Sequence, residues 1–248
     1  MSAGANLGLL GSPRTAAQSE NQVVLGGFPT ATTRLIGLAG LFCFDLIVVA
    51  TFIAPPLWNA PGTRSSAKAV ALYGQHNATR ITVSLFVFSV AMGLFLCFAG
   101  GLWSWFRHRE GSPQTLSSIF AFAAVTASVL ILAGFVPTYL LGYRIQPASV
   151  AGALGDLTFG LLALSGIPTA LFLAVYAALV IRLGGLPKWT AYLAIVGACA
   201  HILIAASFLS HGAFLSLESE VIVWVPATFF VWILAVSASF YRGRVNST

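Results

Sequence analysis

The chain has 248 residues, of which 58% are hydrophobic and 7% are charged, whereas an average soluble domain has about 25% charged residues. This composition excludes a disordered chain, a disulfide scaffold and a water-soluble globular protein, because so few polar residues cannot cover a soluble fold. The net charge of +6 comes from basic residues scattered singly at the ends of apolar runs, which excludes a nucleic-acid surface and favours a polytopic membrane protein.

In chain order, residues 1–32 are polar and predict a flexible cytoplasmic tail, and residues 242–248 predict a short basic cytoplasmic tail. Between them, residues 33–241 form the predicted transmembrane domain, an all-α bundle. A bilayer core of about 30 Å needs about 20 apolar residues in a helix. Six apolar runs meet that length: 33–57, 81–105, 115–143, 156–181, 190–212 and 221–241.

The basic residues predict the orientation of the bundle. With both termini cytoplasmic, eight basic residues fall inside and four outside, as the positive-inside rule requires. The outer four are Arg64, Lys68, Arg80 and Arg144. Pro137, Pro168 and Pro226 are predicted to interrupt three of the helices, and packing kinks are favoured over an opened cavity.

Asp45 lies inside the first apolar run, where a carboxylate costs about 2.5–3.5 kcal/mol on insertion scales. His201 is predicted at a similar depth in the fifth run, so one hypothesis is a hydrogen bond between the two. The alternatives are bonds from Asp45 to Ser or Thr hydroxyls that fix helix packing, or another arrangement. Asp45, His201 and Asp156, at the start of the fourth run, are the candidate catalytic residues.

The predicted outer end of the bundle collects most of the remaining polar side chains. Arg80 and Arg144 either extend toward lipid headgroups or pair with an acid to form a charged lid, and at least one pair is favoured. The candidate binding residues are His76, Arg80, Arg144, His211, Glu218 and Glu220. These histidines and acids lack metal-ligand spacing, and the chain has no nucleotide-loop or hydrolase motif, so no metal and no cofactor are expected.

Three functions are open, and the first, exercised in a polar pocket in the outer half of the bundle, is favoured over the other two. The first is binding or processing of a lipophilic small molecule, for instance acid-initiated cyclisation or isomerisation of an isoprenoid with aromatic rings stabilising a carbocation. The second is a small-solute transporter or channel subunit, which needs polar residues across the whole bundle. The third is a non-catalytic partner or assembly factor of a membrane complex, with a membrane protein or a second copy as partner. Whether the chain is an enzyme stays open.

Three stretches of the chain are similar to known proteins: residues 71–80, 155–159 and 186–193. They resemble stretches of a group of small actinobacterial integral membrane proteins with six helices. The resemblance extends loosely from the first run to the sixth. It implies a helical membrane fold in a bacterial plasma membrane and supplies no activity.

Overall fold

The computed structural model describes residues 30–53, 61–62, 64–209 and 225–242, which form helices and turns without a strand in this part of the chain. The described residues form seven α-helices, and a short 3-10 turn, Ser207–Leu209, follows the sixth of them. The helices are α1 (Thr30–Ile53), α2 (Ala67–Glu110), α3 (Thr115–Tyr143), α4 (Ala148–Leu164), α5 (Gly166–Leu183), α6 (Lys188–Ala206) and α7 (Ala227–Tyr241).

Five stretches of the described chain are long and apolar enough to cross a membrane, so the chain is an all-helical membrane protein. They comprise α1, α2, α3, the consecutive pair α4 and α5, and α6 with its 3-10 turn. The sixth predicted run appears as α7, which has 15 residues and is shorter than a full span. The structure thus confirms the predicted helical class and five of the apolar runs.

Local chemistry explains where several helices begin and end. The Ser66 hydroxyl accepts a hydrogen bond from the Ala69 amide at 3.2 Å and caps the start of α2. Gly111 after α2 and Gly184 after α5 have φ angles of 70° and 67°, a region that disfavours any residue with a Cβ. Glu110, the last residue of α2, accepts hydrogen bonds from the Leu116 and Ser117 amides and caps α3.

Proline explains the division between α4 and α5, which falls within the predicted run 156–181 at the interruption expected from Pro168. Pro168 has no N–H to donate to the carbonyl of Leu164, and its ring crowds that carbonyl. The helix accordingly ends at Leu164 and restarts at Gly166. Pro226 precedes α7 rather than interrupting it, so only Pro137 lies in a helix interior, within α3.

Aromatic rings fill the centre of the bundle. The Trp232 indole of α7 lies 4.8 Å from the Tyr176 ring and 5.0 Å from the Phe172 ring, measured between centroids. Phe95 of α2 packs edge-on against Phe229 at 5.3 Å. These edge-to-face contacts join α2, α5 and α7 in one core.

The helix ends define two ends of the bundle. At one end, here called the basic end, α1, α3 and α6 begin and α2, α5 and α7 finish. Contacts between Ile36 and Gly101, Gly37 and Tyr241, and Arg109 and Gly185 hold these termini together. Its described cations are Arg34, Arg107, Arg109, Arg182, Lys188 and Arg242. The opposite end holds the first turns of α2 and α4.

Candidate functional site

Helix α1 has an inward face that is packed closely against its neighbours. A methyl group on Gly37 would lie 2.7 Å from the Tyr241 nitrogen and 2.9 Å from the Ser237 carbonyl oxygen of α7, so the two backbones touch. Cys43 and Ile47 are buried on this same face. The Ser84 hydroxyl of α2 donates a hydrogen bond to the Ala50 carbonyl at 2.8 Å. Close approach and interhelical hydrogen bonds of this kind hold membrane helices together.

The opposite face of α1 carries large side chains that are exposed in the described part of the chain. Leu35, Phe42 and Val49 are 67%, 56% and 45% exposed. They are spaced seven residues apart, which keeps them on one side of a helix. Asp45 lies three residues after Phe42 on this side and is also exposed. We call Leu35, Phe42, Asp45 and Val49 the Asp45 face.

Asp45 and His201 do not bond each other. Asp45 forms no hydrogen bond or ion pair with another described residue, and it points away from the bundle. His201 is 5% exposed. Its Nδ1 lies 2.8 Å from the Gly197 carbonyl oxygen, and its ring packs against Phe229 at 5.9 Å between centroids. The hypothesis of an Asp45–His201 bond was wrong because shared depth says nothing about the direction in which each side chain points.

The predicted outer residues that the structure describes lie at the opposite end, spread over three helices. His76 and Arg80 are exposed on α2, Arg144 is exposed just after α3, and Asp156 is exposed on α4. Within the described chain, Asp156 forms no ion pair with Arg80 or Arg144. His211, Glu218 and Glu220 lie outside the described residues.

A small groove lies between the start of α2 and α4 at this end, with a volume of about 120 Å³. Drug-sized ligands occupy pockets of about 300–1,000 Å³. Its walls are mostly backbone and small side chains, and Asp156 supplies its one charged group: Pro61, Gly62, Ser65, Ala67, Val70, Gly152, Gly155, Asp156 and Phe159. The groove suits a small polar molecule better than an isoprenoid.

The described part of the chain contains no group of three histidine, cysteine or acidic side chains placed to bind one metal ion. Cys43 is buried in the α1 interface, whereas Cys97 and Cys199 are exposed on different helices. None of these thiols is paired with another.

Among the candidate residues, the most unusual is Asp45, whose carboxylate is exposed in the middle of an apolar helix face. The sequence singled out Asp45 but missed its companions Leu35, Phe42 and Val49. Their seven-residue spacing was the available signal. This spacing could not be recognised in the sequence because the inward face of α1 is equally apolar.

Comparisons of the chain with protein-family models, curated proteins and solved structures found no match. The resemblance carried by residues 71–80, 155–159 and 186–193 therefore stands on those stretches alone. The function has to be argued from the arrangement of the side chains.

Proposed function

We propose that this chain is a membrane-embedded, non-catalytic subunit that binds a partner membrane protein through the Asp45 face of α1. One observation carries the proposal: Asp45 is exposed, without a described partner, between the exposed side chains of Phe42 and Val49. Membrane proteins normally direct such a carboxylate into the bundle or toward a partner.

The energetics favour a partner helix over lipid. A carboxylate at mid-helix costs about 2.5–3.5 kcal/mol on insertion scales. Lipid tails offer it no hydrogen bond, and His201, the described histidine at similar depth, is buried elsewhere and bonded to Gly197. A Lys, an Arg or a hydrogen-bond donor on a partner helix would recover part of this cost. A second copy of the chain would instead bring another Asp45, so the proposal commits to a different protein.

The proposed topology has six spans and both termini in the cytoplasm of a bacterial plasma membrane. Helix α7 is about 22 Å long at 1.5 Å per residue, which is short of the bilayer core. A full sixth span therefore needs residues before Ala227, as the predicted run 221–241 supplies. The basic end is then cytoplasmic, in agreement with the eight-to-four division of Lys and Arg.

The other two hypotheses have less support. Binding of a lipophilic molecule rests on the groove beside Asp156, whose volume of about 120 Å³ is small for an isoprenoid. Acid-initiated chemistry at Asp45 would need an enclosed cavity, and Asp45 points outward. A transport path would have to pass the rings of Phe172, Phe229 and Trp232, which pack against one another at the bundle centre.

The test is co-purification of the tagged chain from its own host in mild detergent, comparing wild type, Asp45→Leu, Asp45→Asn and a control. Phe122→Leu changes an exposed side chain of α3 and serves as the control. Wild type and the control should retain a partner with a Lys, Arg or donor residue in a membrane helix. Asp45→Leu should lose it, and Asp45→Asn should keep part of it because the amide still forms hydrogen bonds.

A charge exchange makes the test specific. Asp45→Lys should abolish retention, and an acidic residue in place of the partner's base should restore it. In the isolated chain, Asp45→Leu should not lower the melting temperature, because Asp45 is exposed and its carboxylate makes no described contact within the bundle. A lower melting temperature, or retention that is indifferent to residue 45, would refute the docking role. Recovery of the chain only as a homodimer would also refute it.

A further inference from the structure

A second feature, at the basic end and independent of Asp45, concerns the seam between α1 and α7. The backbones of these helices touch at Gly37 and Tyr241, where a methyl group on the glycine would lie 2.7 Å from the Tyr241 nitrogen. Arg34 precedes Gly37 by three residues, and Arg242 directly follows Tyr241. Because the helices run antiparallel, residues 34 and 242 lie beside one seam at nearly the same level along the bundle.

These two cations lack the local partners that other arginines of the basic end have. Arg107 donates from Nε to the Gln114 side-chain oxygen at 2.6 Å. The Arg109 guanidinium stacks on Trp105, 4.4 Å from the ring centroid. The Arg34 and Arg242 side chains are exposed and form no hydrogen bond or ion pair in the described part of the chain.

Glu110, the acid described at the basic end, already has hydrogen-bond partners. Both carboxylate oxygens of Glu110 accept hydrogen bonds from backbone amides, those of Leu116 and Ser117, each at 2.8 Å. Two exposed arginines on either side of one helix seam, without a described counter-charge, favour a shared anion. A phosphodiester matches their geometry because each guanidinium can donate two hydrogen bonds to phosphate oxygens.

The surroundings of the seam indicate a lipid rather than a free anion. Trp189, Tyr192 and Tyr241 are exposed at or near this end of the bundle, as aromatic residues are at a membrane interface. A phosphate bound here would sit at headgroup level with acyl chains along the helices.

We propose that Arg34 and Arg242 together bind the phosphate of an anionic phospholipid in the leaflet at the basic end. The two side chains act as a clamp across the α1–α7 seam, and the contact at Gly37 fixes their separation. An anionic lipid is favoured over a zwitterionic one because it brings no positive charge of its own toward the arginines.

The experiment is native mass spectrometry of the full chain released from detergent containing equal amounts of phosphatidylglycerol and phosphatidylcholine. The double variant Arg34→Gln/Arg242→Gln is compared with Arg182→Gln/Lys188→Gln, which removes the same charge at the same end but away from the seam. Wild type and this control should retain phosphatidylglycerol. The seam variant should bind it about tenfold more weakly or worse. Arg34→Lys/Arg242→Lys should show an intermediate loss, because lysine keeps the charge but not the paired hydrogen bonds.

Three results would overturn the proposal. Equal losses in the seam and control variants would indicate a diffuse charge effect, and equal retention of phosphatidylcholine would remove the preference for an anionic lipid. Displacement by excess inorganic phosphate would indicate a site for the free anion. Melting temperatures of the variants should match wild type, since all four cations are exposed. Asp45→Leu should leave lipid retention unchanged, so this test is separate from that of the docking role.

Discussion

The two faces of α1 differ in packing and polar contacts, although both are apolar. The inward face has glycine backbone contacts, buried Cys43 and Ile47, and a hydrogen bond from Ser84. The outward face has large exposed side chains and a carboxylate. The inward face packs against described helices of this chain, whereas the outward face is the proposed binding surface for a second molecule. Substitutions on the two faces should therefore have different consequences.

Ile47→Ala should show the largest difference between the faces. Ile47 is 2% exposed in the α1 interface, and its truncation leaves a cavity, so we expect a loss of about 2 kcal/mol or more. The measurement is thermal or denaturant unfolding in detergent micelles. A loss no greater than that of Val49→Ala, two residues away on the outward face, would show that the inward face is not the structural one.

Gly37→Leu should be the next most damaging change. A side chain there meets the backbone of Tyr241 and Ser237, which cannot move aside as a rotamer can, so we expect a cost of about 1–3 kcal/mol. Gly93→Leu on α2 is the matched control because a side chain at Gly93 meets open space. Unfolding midpoints should fall for Gly37→Leu and stay level or rise for Gly93→Leu. Equal falls would mean that helix contact at Gly37 carries no special weight.

Ser84→Ala should have a smaller effect. It removes the hydrogen bond to the Ala50 carbonyl, and such interhelical bonds average about 0.6 kcal/mol in membranes. The same assay should show a small decrease in the unfolding midpoint. Ser104→Ala, at an exposed serine of α2, is the reference. An unchanged midpoint would remove this bond from the account of the inward face.

Phe42→Ala should have the smallest effect on the isolated chain, within about 0.5 kcal/mol, because the ring touches little of the bundle. The same change should weaken co-purification of the proposed partner. A large fall in the melting temperature of the isolated chain would mean that Phe42 packs within the bundle and that the two faces of α1 are not distinct.

Much of the helical architecture could be predicted from hydropathy alone. The predicted run 115–143 coincides with α3, and the runs for α1 and α6 overlap those helices for most of their length. The N-terminal extent of α2 was missed because residues 67–80 are too polar to score as a span. The break at Ser165, by contrast, agrees with the interruption predicted at Pro168. The start of α4 at Ala148 was missed as well.

The candidate site could be predicted only in part. Asp45 stands out in the sequence because few ionisable residues lie in apolar runs. The direction in which the Asp45 side chain points could not be predicted, because a helix that is apolar all around shows no preferred buried side. The burial of His201 and the exposure of Phe42 follow from which helices pack against α1 and α6, and that information is long-range.

Photo-crosslinking from the Asp45 face tests the central claim most directly. A photoreactive phenylalanine analogue would replace Phe42 or, as the control, Phe122 on the exposed side of α3, in membranes of the host. The account predicts that position 42 crosslinks to one protein, that Asp45→Leu abolishes the product, and that position 122 yields lipid adducts. Lipid adducts alone at position 42, or the same products at both positions, would contradict it.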